Sequence, residues 1–209
     1  MPNVLVLGAG GRIARWATAM LAGIEADLTL FVRDAGRLTG APASARVVEG
    51  DVLDRDRLAD AVRGQDIVYA NLAGDLDVQA ERIVEAMTSQ AVPRLIFITA
   101  LGIYDEVPGA FGEWNRRQIG GVLPPYRAAA DIIEASSLDY TILRPAWLTD
   151  VDEVDYEVTR RDEPFKGTEV SRKSVAALVV DIIASPDLWP RSNLGVDKPG
   201  TDGDKPSFL

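Results

Sequence analysis

The run Val4-Leu5-Val6-Leu7 is followed at once by Gly8-Ala9-Gly10-Gly11, and then by a segment with helical periodicity. In that segment Ile13, Trp16, Ala17, Met20 and Leu21 fall on one face at i, i+3, i+4, i+7 and i+8. A buried strand, a glycine-rich turn and an amphipathic helix in this order constrain the chain more than any other feature. Glycine lets backbone approach an anion closely, and the unpaired N–H groups that open a helix bind its charge. The spacing reads G-x-x-G-x-x-A, with Ala14 as the small residue where helix meets sheet. The turn therefore predicts a pyrophosphate site at Gly8, Gly10, Gly11, Arg12 and Ile13. The competing reading is an ordinary tight strand-to-helix turn. Arg12 argues against that reading, because a cation in a helix's first turn opposes the macrodipole unless an anion sits beside it.

The same alternation continues along the chain. Short apolar, β-branched runs at about 27–33, 45–49, 66–71, 94–99 and 139–144 join residues 3–8 as predicted strands. Helical patterns separate them, at about 11–23, after Asp54, and near 76–90, 125–136 and 172–185. Near-continuous apolar strands indicate a sheet covered on both faces. The predicted fold is α/β: a Rossmann-type, doubly wound parallel sheet flanked by helices. With 209 residues, the chain is expected to form one domain, with a core over about 1–145 and a small substrate-side elaboration over about 146–209.

Two stretches break the rhythm. Residues 105–125 are rich in Gly and Pro and carry Phe111 and Trp114 between charges, which reads as a lid or a surface loop. Residues 150–163 are rich in acids and read as a solvated acidic face. The polar residues 197–209 read either as a frayed tail or as an arm packed on the domain.

Composition removes whole classes of chemistry. There is no Cys and no His, so disulfides, thiolate nucleophiles, Cys/His zinc sites and imidazole catalysis are excluded. No metal site is expected. The formal net charge of −10 repels phosphate backbones and anionic lipid, so neither nucleic acid nor a membrane surface is an expected partner. No apolar run approaches the roughly 20 residues of a membrane span. The first residues lack a secretion signal's basic and apolar regions. A cytoplasmic protein with a small-molecule substrate is the expectation.

The second predicted strand ends Val32-Arg33-Asp34. Dinucleotide sites that take NAD usually place a carboxylate about 20 residues past the glycines, for the ribose 2′-OH. Here Arg33 follows apolar Val32, and a guanidinium suits a 2′-phosphate. NADP(H) is therefore favoured over NAD(H). In the alternative, Arg33 is a surface residue and Asp34 supplies the carboxylate.

The glycine turn, Val32-Arg33-Asp34, Gly50-Asp51-Val52, Ala70-Asn71-Leu72-Ala73-Gly74 and Leu138 to Pro145 occur in that order. Together they resemble the atypical short-chain dehydrogenase/reductase superfamily, in its small NAD(P)H-binding, NmrA-like branch. The likeness runs over nearly the whole chain, through Val170-Ser171-Arg172. It implies that Asp51 and Val52 border the adenine. It implies that Asn71, Leu72 and Ala73 line the cofactor, and that Pro145, Ala146 and Trp147 lead to the substrate side.

The resemblance is weaker at the catalytic positions. Where the superfamily ends its fifth strand with Ser or Thr, this chain has Thr99 followed by Ala100. Where the superfamily has Y-x-x-x-K, this chain has Tyr126 and then Ala130 in the lysine position. Counting back from Ser136-Ser137-Leu138 puts Tyr126 in the lysine's place instead. Either way the full Ser-Tyr-Lys set is absent. Thr99 is the candidate polar contact to substrate, and Tyr104 or Tyr126 the candidate proton donor. Phe111, Trp114 and Trp147 are candidate pocket walls.

Two functions fit these residues. One is an NADP(H)-dependent reductase of a small carbonyl, quinone or flavin-like acceptor. The other is a non-catalytic NADP(H)-binding regulator that senses redox state. An epimerase or dehydratase would need the tyrosine–lysine pair and a larger C-terminal part.

Overall fold

The computed structural model describes residues 1–209. In chain order the strands are β1 (Asn3–Leu7), β2 (Asp27–Val32), β3 (Arg46–Glu49), β4 (Ile67–Ala70), β5 (Arg94–Ile98), β6 (Asp139–Pro145), β7 (Trp147–Thr149), β8 (Glu157–Arg160), β9 (Glu169–Ser171) and β10 (Ser192–Asp197). The helices are α1 (Arg12–Leu21), α2 (Arg55–Val62), α3 (Leu76–Ser89), α4 (Gly109–Ile119), α5 (Pro124–Ala135) and α6 (Arg172–Ala184). Eight strands form one sheet in the order β3-β2-β1-β4-β5-β6-β10-β8. All pairings are parallel except that of β8 on β10 at the edge. β7 and β9 form a separate parallel pair. This is the Rossmann-like architecture that the sequence pattern predicts.

Strand alternation explains why the central strands are apolar nearly throughout. Val4 and Val6 enter the core under α1 and α6, while Leu5 and Leu7 enter the core under α2, α3 and α5. With both faces covered, no position on β1 beyond Asn3 is left for a polar residue. Each such side chain contributes about 1.5–3 kcal/mol on burial. Side-chain caps set several helix starts: Asp54 accepts from Arg57 N at 3.1 Å, and Ser171 accepts from Ser174 N at 2.9 Å.

Three stretches depart from, or settle, the sequence reading. Residues 105–125 are not an irregular loop, since α4 and a 3₁₀ turn over Gly120–Val122 occupy most of them. The glycines conceal the helix. A Cβ at Gly112 would lie 2.0 Å from Val107 O, so this mid-helix glycine is required by packing. Phe111 is buried and stacks on Trp114 with ring centroids 6.1 Å apart.

The acids of 150–163 are largely paired with cations rather than simply solvated. Asp150 meets Arg12 and Arg172, Asp152 meets Lys173, and Glu153 accepts from Lys198 at 2.8 Å. β8 also lies within this stretch. The C-terminal residues form a packed arm, in which Thr168 Oγ1 donates to Thr201 O at 2.7 Å and Ser207 N donates to Glu169 at 2.7 Å.

Beneath that arm Asp197 is fully buried. One carboxylate oxygen accepts from Gly167 N at 2.9 Å, and the other has no partner. Burial pushes its pKa up from 3.8 to about 6, with Glu157 adding to the rise and the Gly167 amide and Lys166 opposing it. Folding therefore favours the neutral acid. That contribution is complete below about pH 4 and is lost as pH rises through about 6. The neutral isostere Asp197→Asn is expected to stabilise the protein at pH 8 by up to about 3 kcal/mol. The gain should vanish near pH 4, as read by urea denaturation at both pH values. Equal gains at both would show that Asp197 does not titrate in this range.

Candidate functional site

Strand order reverses at β1: the chain builds outward through β2 and β3, then returns to β4 on the other side. A crevice opens at the carboxyl ends of the strands at such a switch point. Here it is a cleft of about 700 Å³, lined by the glycine turn and by the segments that follow β2, β3 and β4.

The turn forms its floor. Gly8 has φ +76° and donates its N–H to Phe31 O at 3.1 Å. A Cβ there would lie 2.3 Å from Asn71 O, so the position admits only glycine. A Cβ at Gly11 would lie 2.2 Å from Asn71 Nδ2, whereas a Cβ at Gly10 would meet nothing within 4 Å. Gly8 is thus glycine because of backbone packing, Gly11 lies against the end of the Asn71 side chain, and Gly10 is the one that leaves open space. Arg12 and Ile13 open α1 with amides that have no backbone acceptor, and no acid stands in the first turn. These are the features of an anion site at a helix N-terminus.

Beyond β2, Arg33 lines the cleft and so does Arg37, which the sequence reading missed. Asp34 lies between them, but its carboxylate is engaged. One oxygen accepts from Gly36 N at 3.0 Å, capping the 3₁₀ turn Ala35–Arg37, and the other lies 3.4 Å from Arg37 Nε. Phe31 fills the space beside Gly50, where a Cβ would lie 2.7 Å from the ring. Asp51 accepts from Leu53 N at 2.9 Å and lines the cleft with Val52. Asn71, Leu72 and Ala73 form the wall after β4, where Gln79 Nε2 donates to Ala73 O at 3.1 Å. Leu148 and Arg172 complete the lining. In the sequence Arg172 appeared at the end of the Val170-Ser171-Arg172 motif, with nothing to tie it to the glycines.

The three candidate catalytic residues are elsewhere, and none lines the cleft. Thr99 is buried, and its hydroxyl donates to Leu143 O at 3.1 Å, within the sheet. Tyr104 packs against the core under α2, α3 and α5, among charged side chains. Its hydroxyl donates to Glu134 at 3.3 Å and accepts from Asn193 Nδ2 at 2.9 Å. Arg127 and Arg161 stand over its ring at 4.3 and 4.4 Å. Burial, reinforced by Glu134, pushes its pKa up to about 12, which makes it a poor acid near neutrality. Tyr126 packs half-buried against the core under α5, and Ala130 is fully buried. Trp147 packs on Trp114 at 4.8 Å and donates from Nε1 to Asn115 at 2.9 Å. With Phe111 in the core, these rings are not cleft walls, and only the next residue, Leu148, reaches the cleft. The lining contains no Ser, Thr, Tyr or Lys.

The profile of the NAD(P)H-binding family matches residues 8–186, which span the turn, the cleft and α6. The chain belongs to this family.

Family membership agrees with solved relatives. A Rossmann-fold NAD(P)-binding family protein from Shigella flexneri is 51% identical, with a TM-score of 0.87 and complete coverage of both chains. A short-chain dehydrogenase/reductase from Veillonella parvula is 30% identical over both full chains, with a TM-score of 0.94. A structure of the Veillonella parvula short-chain dehydrogenase/reductase in complex with NADP is 29% identical over 99% of each chain, with a TM-score of 0.93. No curated protein matches the sequence. No helix of this NAD(P)H-binding protein is long and apolar enough to cross a membrane.

Gly8 and Gly10 separate folding from binding. Gly8→Ala meets the Asn71 backbone in a left-handed conformation and should destabilise the fold by about 2 kcal/mol or more. Gly10→Val should leave the melting temperature nearly unchanged while weakening NADPH binding about tenfold or more. Thermal melts with a parallel NADPH titration check both. A folded Gly10→Val protein with unaltered affinity would remove the turn from the site.

Proposed function

We propose that the protein is an NADP(H)-dependent reductase whose acceptor takes its proton from solvent rather than from a side chain. The lining of the cleft carries this reading: free helix-opening amides and four arginines, with no Ser, Thr, Tyr or Lys side chain.

The Arg12 and Ile13 amides and the space at Gly10 suit the pyrophosphate. Asp51 and Val52 border the adenine, and Asn71, Leu72 and Ala73 line the path toward the reacting end. Arg33 and Arg37 stand where a 2′-phosphate arrives. Asp34 is taken up by its own turn and by Arg37, so it is poorly free to accept from a 2′-OH. A second guanidinium beside Arg33 strengthens the preference for NADP(H) over NAD(H). The relative crystallised with NADP supports the same choice.

The cofactor supplies hydride, and the protein supplies binding and orientation. Without a tyrosine or lysine at the cleft, a simple ketone would gain no acid assistance. A quinone or flavin-like acceptor delocalises the incoming charge and is protonated by water. Such acceptors therefore fit better than an unactivated carbonyl. The same lining is compatible with a non-catalytic NADP(H) sensor, and turnover separates the two.

Tryptophan fluorescence titrations with NADPH and NADH should show NADPH bound more tightly. Arg33→Ala should narrow the ratio about tenfold, and the Arg33→Ala/Arg37→Ala pair should narrow it further. An unmoved ratio would remove both arginines from the 2′-phosphate. In a quinone and flavin screen with NADPH, Tyr126→Phe should retain the activity of the unaltered protein within about twofold. A tenfold loss, on the order of 1.4 kcal/mol, would restore the phenol as a donor. Tight NADPH binding without turnover of any acceptor would favour the sensor.

A further inference from the structure

The guanidinium of Arg172 is held through a single nitrogen. Its Nη1 donates to Leu148 O and Thr149 O, both at 3.1 Å, and to Asp150 Oδ1 at 3.0 Å. Nε and Nη2 have no protein acceptor. The side chain is only 16% exposed, and the residue lines the cleft. The Nε–Nη2 edge is the fork that pairs side-on with two oxygens of a carboxylate or phosphate. Two backbone carbonyls thus fix this guanidinium while leaving its paired edge free.

Arg12 reaches the same place from the glycine turn and meets the other oxygen of Asp150. Two cations therefore share one carboxylate, and one positive charge is left over. Both arginines also stand at the first position of a helix, and neither α1 nor α6 has an acid in its first turn. The macrodipoles add to the positive potential rather than offset it. This surplus lies where Arg12 and Arg172 line the cleft together with Leu148.

We propose that Arg172, together with Arg12, binds an acidic group of the second ligand, a carboxylate or phosphomonoester carried by the acceptor. Asp150 leaves the paired edge of Arg172 free, but it engages Arg12 and offsets one of the two charges. The inference rests on the reading of the cleft as an NADP(H) site with its reacting end toward β7 and α6. It narrows the acceptor to an acidic one. The turn amides already serve the cofactor's pyrophosphate, so the free edge of Arg172 is left for a different anion.

The test is calorimetry with three probes of one shape: 2-naphthoate, 2-naphthyl phosphate and neutral 2-naphthamide. The protein is first titrated with NADP⁺ and then, saturated with it, with each probe. The naphthoate or the naphthyl phosphate should bind about tenfold more tightly than the amide, and whichever does so identifies the acid class. Asp150→Asn should tighten the acidic probe about threefold or more by removing the negative charge that offsets the two arginines. Arg172→Gln should abolish the preference for acid over amide and leave NADP⁺ affinity within about twofold. The opposite directions expected of the two variants guard against a simple loss of folding.

Equal binding of acid and amide, or no tightening in Asp150→Asn, overturns the proposal. A tenfold loss of NADP⁺ affinity in Arg172→Gln also overturns it, by assigning the guanidinium to the cofactor. Failure of the unaltered protein to bind NADP⁺ sinks the cofactor reading instead. The probes are then titrated into the protein alone, where the behaviour of Arg172→Gln still decides the acid site.

Discussion

The close approach of Gly8 to Asn71 is the constraint on which the rest of the cleft depends. The Asn71 amide donates to Leu7 O at 3.0 Å, which holds the end of β4 against the end of β1. Gly8 then turns with φ +76°, and its amide and that of Ala9 both donate to Phe31 O at the end of β2. Three strand ends are tied together within a few residues. Any side chain at position 8 would push β4 away from β1 and open the floor. Because the turn is fixed so tightly, α1 starts at a defined point with its amides directed at one place. Pre-organised donors of this kind bind an anion without first being ordered, which favours affinity.

A second rigid element lies outside the cleft lining. Arg144 and Glu106 form a buried ion pair, and Glu106 also accepts from Gly102 N at 3.0 Å and Tyr104 N at 2.9 Å. Arg144 Nε donates to Asn193 at 2.8 Å. Removing one partner of such a pair leaves an uncompensated buried charge, which is strongly destabilising. The network pins the loop after β5 to β6 and β10, and it absorbs the Tyr104 hydroxyl on the way. The Tyr104 hydroxyl is thereby engaged by Glu134 and Asn193.

The parallel core was legible in the sequence because β1, β2, β4, β5 and β6 are mostly apolar on both faces and the helices between them carry an apolar face, whereas α4 and β7 to β10 were not read from it. The phosphate turn was legible for the same local reason: strand, glycines and helix are contiguous. What stayed hidden depends on distant residues. Gly112 reads as a helix breaker until Val107 O is seen beside it. The acids of 150–163 read as solvated until their partners arrive from Arg12, Arg172, Lys173 and Lys198. Thr99 and Tyr126 carry the residue types of a catalytic site. Whether a hydroxyl faces a cleft or a carbonyl in the sheet is a matter of orientation, and spacing does not encode it. Arg37 was within reach of local reasoning, since it lies three residues past Asp34 in a short turn.

The distribution of charge gives the cleft its selectivity. The chain carries a formal charge of −10, yet Arg12, Arg33, Arg37 and Arg172 all line one cavity. Of the acids there, Asp34 and Asp51 are engaged by the backbone amides of Gly36 and Leu53. A carboxylate accepting such bonds presents a smaller local field to a ligand than a free one. At physiological ionic strength the Debye length is about 8 Å, so the acidic exterior is screened from an approaching anion over most of its path. Within that distance the arginines and the helix-opening amides dominate. The two scales act differently: net charge governs what the surface repels, and a handful of fixed cations governs what the cleft holds. An acidic protein of this composition therefore accommodates a polyanionic ligand because its cations are concentrated in one place and most of its carboxylates are spread over the surface.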